Sequence, residues 1–105
     1  MSQQEALFNE IGSKLKDAEK SQMFGKPCFK INGKAFICLF DNEMVFKLQG
    51  DIKAEALKLK GSKQFDPSGR NRPMKEWIQV GFKHSEKWGY FSREALDYIK
   101  ALSSK

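Results

Sequence analysis

From Ala35 to Phe40 the chain is apolar at six consecutive positions, Ala-Phe-Ile-Cys-Leu-Phe. A strand with one wet face alternates, so an unbroken run of this length reads as a central strand covered on both sides. Asn32-Gly33, just before it, is the strongest short hairpin signal, because both residues tolerate the positive φ that a two-residue turn demands. A second turn falls within Asp41-Asn42-Glu43. The pattern therefore predicts an antiparallel meander over about Cys28 to Ile31, Lys34 to Phe40 and Met44 to Leu48. With two-residue turns, Ile37, Leu39, Met44, Phe46 and Leu48 share one face, and Phe29, Ile31, Phe36, Cys38 and Phe40 share the other. That register sets Cys28 opposite Ile37, so the two cysteines fall on opposite faces and stay as reduced thiols. Pro27, which can donate no ladder hydrogen bond, suits the start of an edge strand.

Helical spacing brackets the meander. Ser2 and Glu5 have the form of a capping box, and Leu7, Phe8, Ile11, Leu15 and Ala18 continue an apolar stripe to about Lys20. Ile52, Ala56, Leu57 and Leu59 form a short second helix that Gly61 can end. A loop follows, with Asp66-Pro67-Ser68-Gly69 as a type I turn and Asn71 and Pro73 extending it. Lys75 to Phe82 alternates Trp77 and Gln79 against Ile78 and Val80, which makes a fourth strand. His84 to Gly89 reads as a turn. In the last helix Ser92 is placed as N-cap, Phe91 and Leu96 as a hydrophobic staple, and Ala95, Ile99 and Leu102 as the buried stripe.

Composition narrows the class. A chain of 105 residues is one domain, residues 1–105, and buries roughly two thirds of its unfolded surface. With 40% hydrophobic and 12% aromatic residues it has the means to build a core despite 30% charged residues, which excludes disorder. The N-terminal stretch lacks the apolar block of a signal peptide and no run approaches a membrane span, so the expectation is a cytoplasmic protein without membrane contact. The formal charge of +6 favours polyanionic partners. Most basic residues are lysines spread along the chain, and only Arg70, Arg72 and Arg93 are arginines, whereas phosphate-reading surfaces usually cluster arginine.

Catalytic chemistry finds little to stand on. The single histidine, His84, sits in a polar stretch with Lys83, Ser85, Glu86 and Lys87 that reads as exposed, a poor setting for a general base. Cys28 and Cys38 lie within strands and read as small core residues. One His and two Cys without paired zinc spacing supply no metal shell, and the glycines at 12, 25 and 61 lack the context of a phosphate loop. The expectation is no enzyme, no metal and no cofactor. Two surfaces remain. Lys58, Lys60, Lys63, Arg70, Arg72 and Lys75, beside Phe65 and Trp77, have the composition of a nucleic-acid contact or of a solvated rim. Phe29, Phe36 and Phe40, if one face lacks a helical cover, would form an apolar patch for a protein partner or for self-association.

The strings Met23-Phe-Gly-Lys-Pro, Asn32-Gly-Lys-Ala-Phe and Met44-Val-Phe-Lys-Leu, with Pro73-Met74 before Trp77, resemble the motif pattern of the TfoX/Sxy N-terminal domain family. The Trp77-Ile-Gln-Val strand is also similar to the MmcQ/YjbR domains. The likeness runs from about Lys20 to Lys100. It implies a two-layer α+β fold in the order α-β-β-β-α-β-β-α, with an antiparallel sheet like that of secretion chaperones, and places a fifth strand near residues 83–91. It further implies a non-enzymatic cytosolic regulatory module acting through a protein partner, or direct nucleic-acid binding as in double-wing YjbR relatives. Lys26-Pro27 stands where many relatives carry a second glycine, and the competence regulators carry a further helical domain after this one.

Overall fold

The computed structural model describes residues 2–23, 25–66 and 74–103. The fold is α+β: among the described residues there are three α-helices and one antiparallel sheet of six strands. The elements run α1 (Gln3–Ser13), β1 (Glu19–Met23), β2 (Lys26–Ile31), β3 (Lys34–Phe40), β4 (Glu43–Lys47), α2 (Gly50–Leu57), β5 (Lys63–Phe65), β6 (Met74–Val80) and α3 (Trp88–Ser103). In the sheet their order is β1-β2-β3-β4-β6-β5.

Ser2 caps α1 as its spacing predicts, its Oγ accepting from the Glu5 amide at 3.1 Å. The helix is shorter than expected. It ends at Ser13, and after Asp17, whose φ is 69°, the chain extends into a strand absent from the sequence-based reading. This strand, β1, is polar apart from Met23, so no apolar alternation announced it. It pairs with β2 along its whole length, which makes β2 internal rather than an edge. Pro27 fits there because the β2–β3 register begins only at Cys28.

The meander lies where the turns put it. Asn32 and Gly33 (φ 52° and 77°) and Asp41 and Asn42 (φ 51° and 61°) make two-residue turns with positive φ at both positions, and all four are exposed. β3 is central, with β2 and β4 as neighbours. Its apolar run, however, is accommodated by a bulge. Lys30 pairs with Ala35 and Phe29 with Ile37, leaving Phe36 as an extra residue, so Phe36 and Ile37 both turn into the core beneath the helices. Beyond the bulge the phase is reversed from the simple alternation. Cys28 therefore stands opposite Cys38, not Ile37, and the two cysteines share a face.

All helical core residues lie on one side of the sheet. Phe8 of α1, Ala56 of α2 and Trp88, Phe91, Ala95 and Ile99 of α3 close over Phe29, Ile31, Phe36, Ile37, Met44, Phe46, Ile78 and Val80. α3 crosses β3 and β4. A second, smaller cluster occupies the other face: Cys28, Cys38, Val45, Phe65 and Trp77, with Met23, Ala35, Phe40 and Met74 at its margin.

Four further expectations are corrected. β5 replaces part of the supposed loop, its Lys63 and Gln64 pairing with Gln79 and Ile78. Residues 83–91 contain no strand: Phe82–Lys87 is a 3-10 turn and α3 starts at Trp88. Ser92 is not an N-cap but lies inside α3, buried, with its Oγ donating to the Trp88 carbonyl at 2.7 Å. Leu102, assigned to the buried stripe, is 37% exposed. The order implied by the family resemblance is matched with one strand added before the meander. The turn assigned to residues 66–69 falls, after Asp66, outside the described residues, as do Asn71 and Pro73.

Candidate functional site

The helix-free face of the sheet is where charge collects. Strand alternation, with the register of each pair, sends Lys26 and Lys30 of β2, Lys47 of β4 and Lys63 of β5 to the same side as Cys28, Cys38, Val45 and Trp77. Lys26 and Lys63 are exposed, and Lys30 and Lys47 are half-buried. Their apolar stems lie along the second cluster while the ammonium groups reach water. Lys26 Nζ stands 5.7 Å from the centroid of the Phe40 ring and Lys47 Nζ 5.9 Å from that of Trp77. Contacts of this kind contribute about 0.5–1 kcal/mol at exposed sites and hold the cations over the rings.

Beneath the lysines the aromatic layer is closed. Phe40 and Phe65 meet edge to face with centroids 5.0 Å apart, and Trp77 is only 7% exposed. The opposing charge on this face is limited in its freedom. Glu43 accepts from Gln79 Nε2 at 2.7 Å, and Glu19 lies across from Lys30 on the outer strand. The arrangement presents cations above rings of which Phe65 and Trp77 are buried and Phe40 is half-buried.

The residues proposed from sequence are divided by the fold. Lys63 stands on this face, and Lys75 is exposed on the neighbouring strand where the β5–β6 register shifts. Lys58 and Lys60 lie apart, at the C-terminal end of α2, where the Lys60 carbonyl bonds His84 Nε2 at 2.9 Å and Lys83 approaches Gly61. Arg70 and Arg72 lie outside the described residues. The aromatic patch is also divided: Phe29 and Phe36 are buried under the helices, 4% and 0% exposed, and only Phe40 faces the other way. A shared apolar docking surface of these three residues is therefore excluded, since the protein's own helices already cover two of them. Lys26, Lys30 and Lys47 were missed, although the alternation within β2 and β4 places them opposite the helices.

The thiols are poorly suited to nucleophilic work. Burial raises Cys28 against the lowering influence of Lys30, and burial followed by the proximity of Cys28 pushes Cys38 up to about 12. Among the described residues no group of three or more His, Cys, Asp or Glu is placed to hold a metal ion. No described helix is long and apolar enough to cross a membrane. On the helical layer, a groove of about 250 Å³ between α1 and α3 is lined by Ile11, Lys14, Leu15, Gly89 and Arg93, but Lys14 is already paired with Glu10 at 3.1 Å. The lysine-bearing sheet face is the stronger candidate. Comparison of the chain with models of protein families, with curated proteins and with solved structures found no match.

Proposed function

We propose that this protein is a non-enzymatic, cytoplasmic binding module that engages an acidic protein partner through the helix-free face of its sheet. The observation that carries this reading is the convergence of Lys26, Lys30, Lys47 and Lys63 from three strands onto one face. Complementary charge of this kind sets the encounter rate and the orientation of a partner. The chemistry favours carboxylates over bases. Trp77 and Phe65 are buried and the half-buried Phe40 ring already has Lys26 over it, so little ring surface is offered for stacking, and lysine supplies point charges without the planar fork that reads phosphate. A regulatory role through a protein partner is also what the resemblance to the TfoX/Sxy N-terminal domain implies.

Direct contact with a nucleic-acid backbone is the second reading, favoured by one observation. Lys63 and Lys75 on adjacent strands bracket the sequence segment that holds Arg70 and Arg72. Replacing Lys26, Lys47 and Lys63 together by Glu, against a control triple at Lys16, Lys53 and Lys87, separates the readings. The first predicts that an acidic protein captured from native extract, with or without nuclease treatment, is lost with the face triple and kept with the control. Capture that disappears on nuclease treatment, or duplex DNA binding whose salt dependence falls with the face triple, returns the function to nucleic acid. Equal losses from both triples would show that the face is an ordinary solvated exterior.

A further inference from the structure

The two cysteines, separated in the simple register, are brought together by the bulge at Phe36. Cys28 and Cys38 are directly opposed across antiparallel strands, on one face, and each is essentially inaccessible to solvent. The kind of pairing follows from the turns. A two-residue turn is closed by a pair that exchanges both backbone hydrogen bonds, and such pairs then alternate with pairs that exchange none. Counting from Met23↔Lys26, Ser21↔Cys28 exchanges its bonds, so the amide and carbonyl of Cys28 point toward β1. Counting from Phe40↔Glu43, Cys38↔Val45 does likewise, so those of Cys38 point toward β4. The Cys28↔Cys38 pair therefore exchanges none, which is the closer of the two arrangements, with α-carbons about 4.5 Å apart. That separation lies within the disulfide range.

We propose that Cys28 and Cys38 are a covalent modification site, a dithiol that converts to a cross-strand disulfide by exchange with a small-molecule disulfide such as oxidised glutathione. One cysteine thiolate attacks a sulfur of the glutathione disulfide, forming a mixed disulfide and releasing one glutathione thiolate. The second cysteine thiolate attacks the protein sulfur of that mixed disulfide, the protein S–S bond forms, and the second glutathione leaves. Two electrons pass from the protein to the oxidant, and the two thiol protons end on the released glutathiones. Cys28 is the better entry point, because its strand adjoins the edge strand β1, so that opening of this edge relieves the burial that raises its thiol. Both sulfurs are buried, so the exchange proceeds through opening of the β1–β2 edge, and the product ties β2 to β3 on the far side of the bulge from the Asn32-Gly33 turn.

The test uses the wild-type chain in a glutathione buffer, approached both from the folded protein and by refolding from urea so that burial cannot block equilibrium. After an acid quench, alkylation with N-ethylmaleimide and trypsin, the expected product is a monomer in which peptides 21–30 and 35–47 are joined. The native protein should favour the disulfide by about 100-fold over the chain held in urea, the loop-closure advantage of a ring this short. Alkylation of both cysteines after refolding, glutathione on each of them, or a link between two chains would each overturn the proposal.

Discussion

The ring of Phe29 fills the space beside Gly12 so closely that a β-carbon on Gly12 would overlap three of its carbons. Gly12 lies in the last turn of α1 with an ordinary helical backbone, so the glycine is there for close approach and not for its conformational freedom. Phe29 also packs on Phe8 from the same helix, with centroids 5.2 Å apart. Together these contacts seat α1 on β2.

Gly12→Ala should therefore destabilise the fold, although alanine is the better helix former by about 1 kcal/mol. Overpacking of a closed core site costs about 1–3 kcal/mol, and Phe29, 4% exposed, has little room to retreat. Urea denaturation should show a lower midpoint with an unchanged slope. Phe29→Leu in the alanine background should recover part of the loss, a coupling that two independent sites would not show. A neutral or stabilised alanine variant would contradict the close approach.

Tyr98 of α3 donates its phenol to Glu76 Oε2 of β6 at 2.6 Å, which joins the helical layer to the sheet. This hydrogen bond first, then burial and the nearby carboxylate charge, push the phenol up from 10.0 to about 12. A folded-state pKa above the unfolded one means that the native state holds the proton longer. The contribution is thus complete below pH 10 and is lost as pH rises through about 12. Tyr98→Phe should cost about 1 kcal/mol at neutral pH. The gap between wild type and variant should then close across the alkaline window. Subtracting the variant removes other groups, Tyr90 among them, that titrate nearby; a gap that stays constant would show that the Glu76 bond does not carry the shift.

Much of the fold was legible because local signals agreed with one another. Asn32-Gly33 and the apolar run fixed the meander, Ser2 with Glu5 fixed the start of α1, and the alternation from Trp77 to Val80 fixed β6 and its faces. The failures have physical causes. β1 carries almost no apolar residue, and its pairing rests on the backbone of β2, which composition does not report. β5 is three residues long, too short to show a period. The bulge at Phe36 leaves no mark in a run of continuous apolar residues, yet it decides which residues face the helices and brings Cys28 to Cys38. The basic site was half legible: Lys63 was chosen by proximity in sequence to aromatics, whereas Lys26, Lys30 and Lys47 join it only through register.

Ser92 offers a direct check on one such failure. As an N-cap its loss would leave an amide of the first turn unpaired and cost about 1 kcal/mol. Inside α3 its Oγ instead donates to the Trp88 carbonyl, four residues back, which also accepts the backbone bond of the helix. Removing the hydroxyl strands no partner, and alanine is favoured over serine within a helix by a few tenths of a kcal/mol. Ser92→Ala should accordingly change stability by less than about 0.5 kcal/mol, the small void and the better propensity opposing each other. Ser92→Val keeps the burial but crowds the preceding turn against Trp88 and Phe91, and should be the worse variant. Chemical denaturation of the three proteins decides the matter: an alanine variant as damaged as a lost cap would mean that the helix begins at Ser92 and that Trp88 to Phe91 lie outside it.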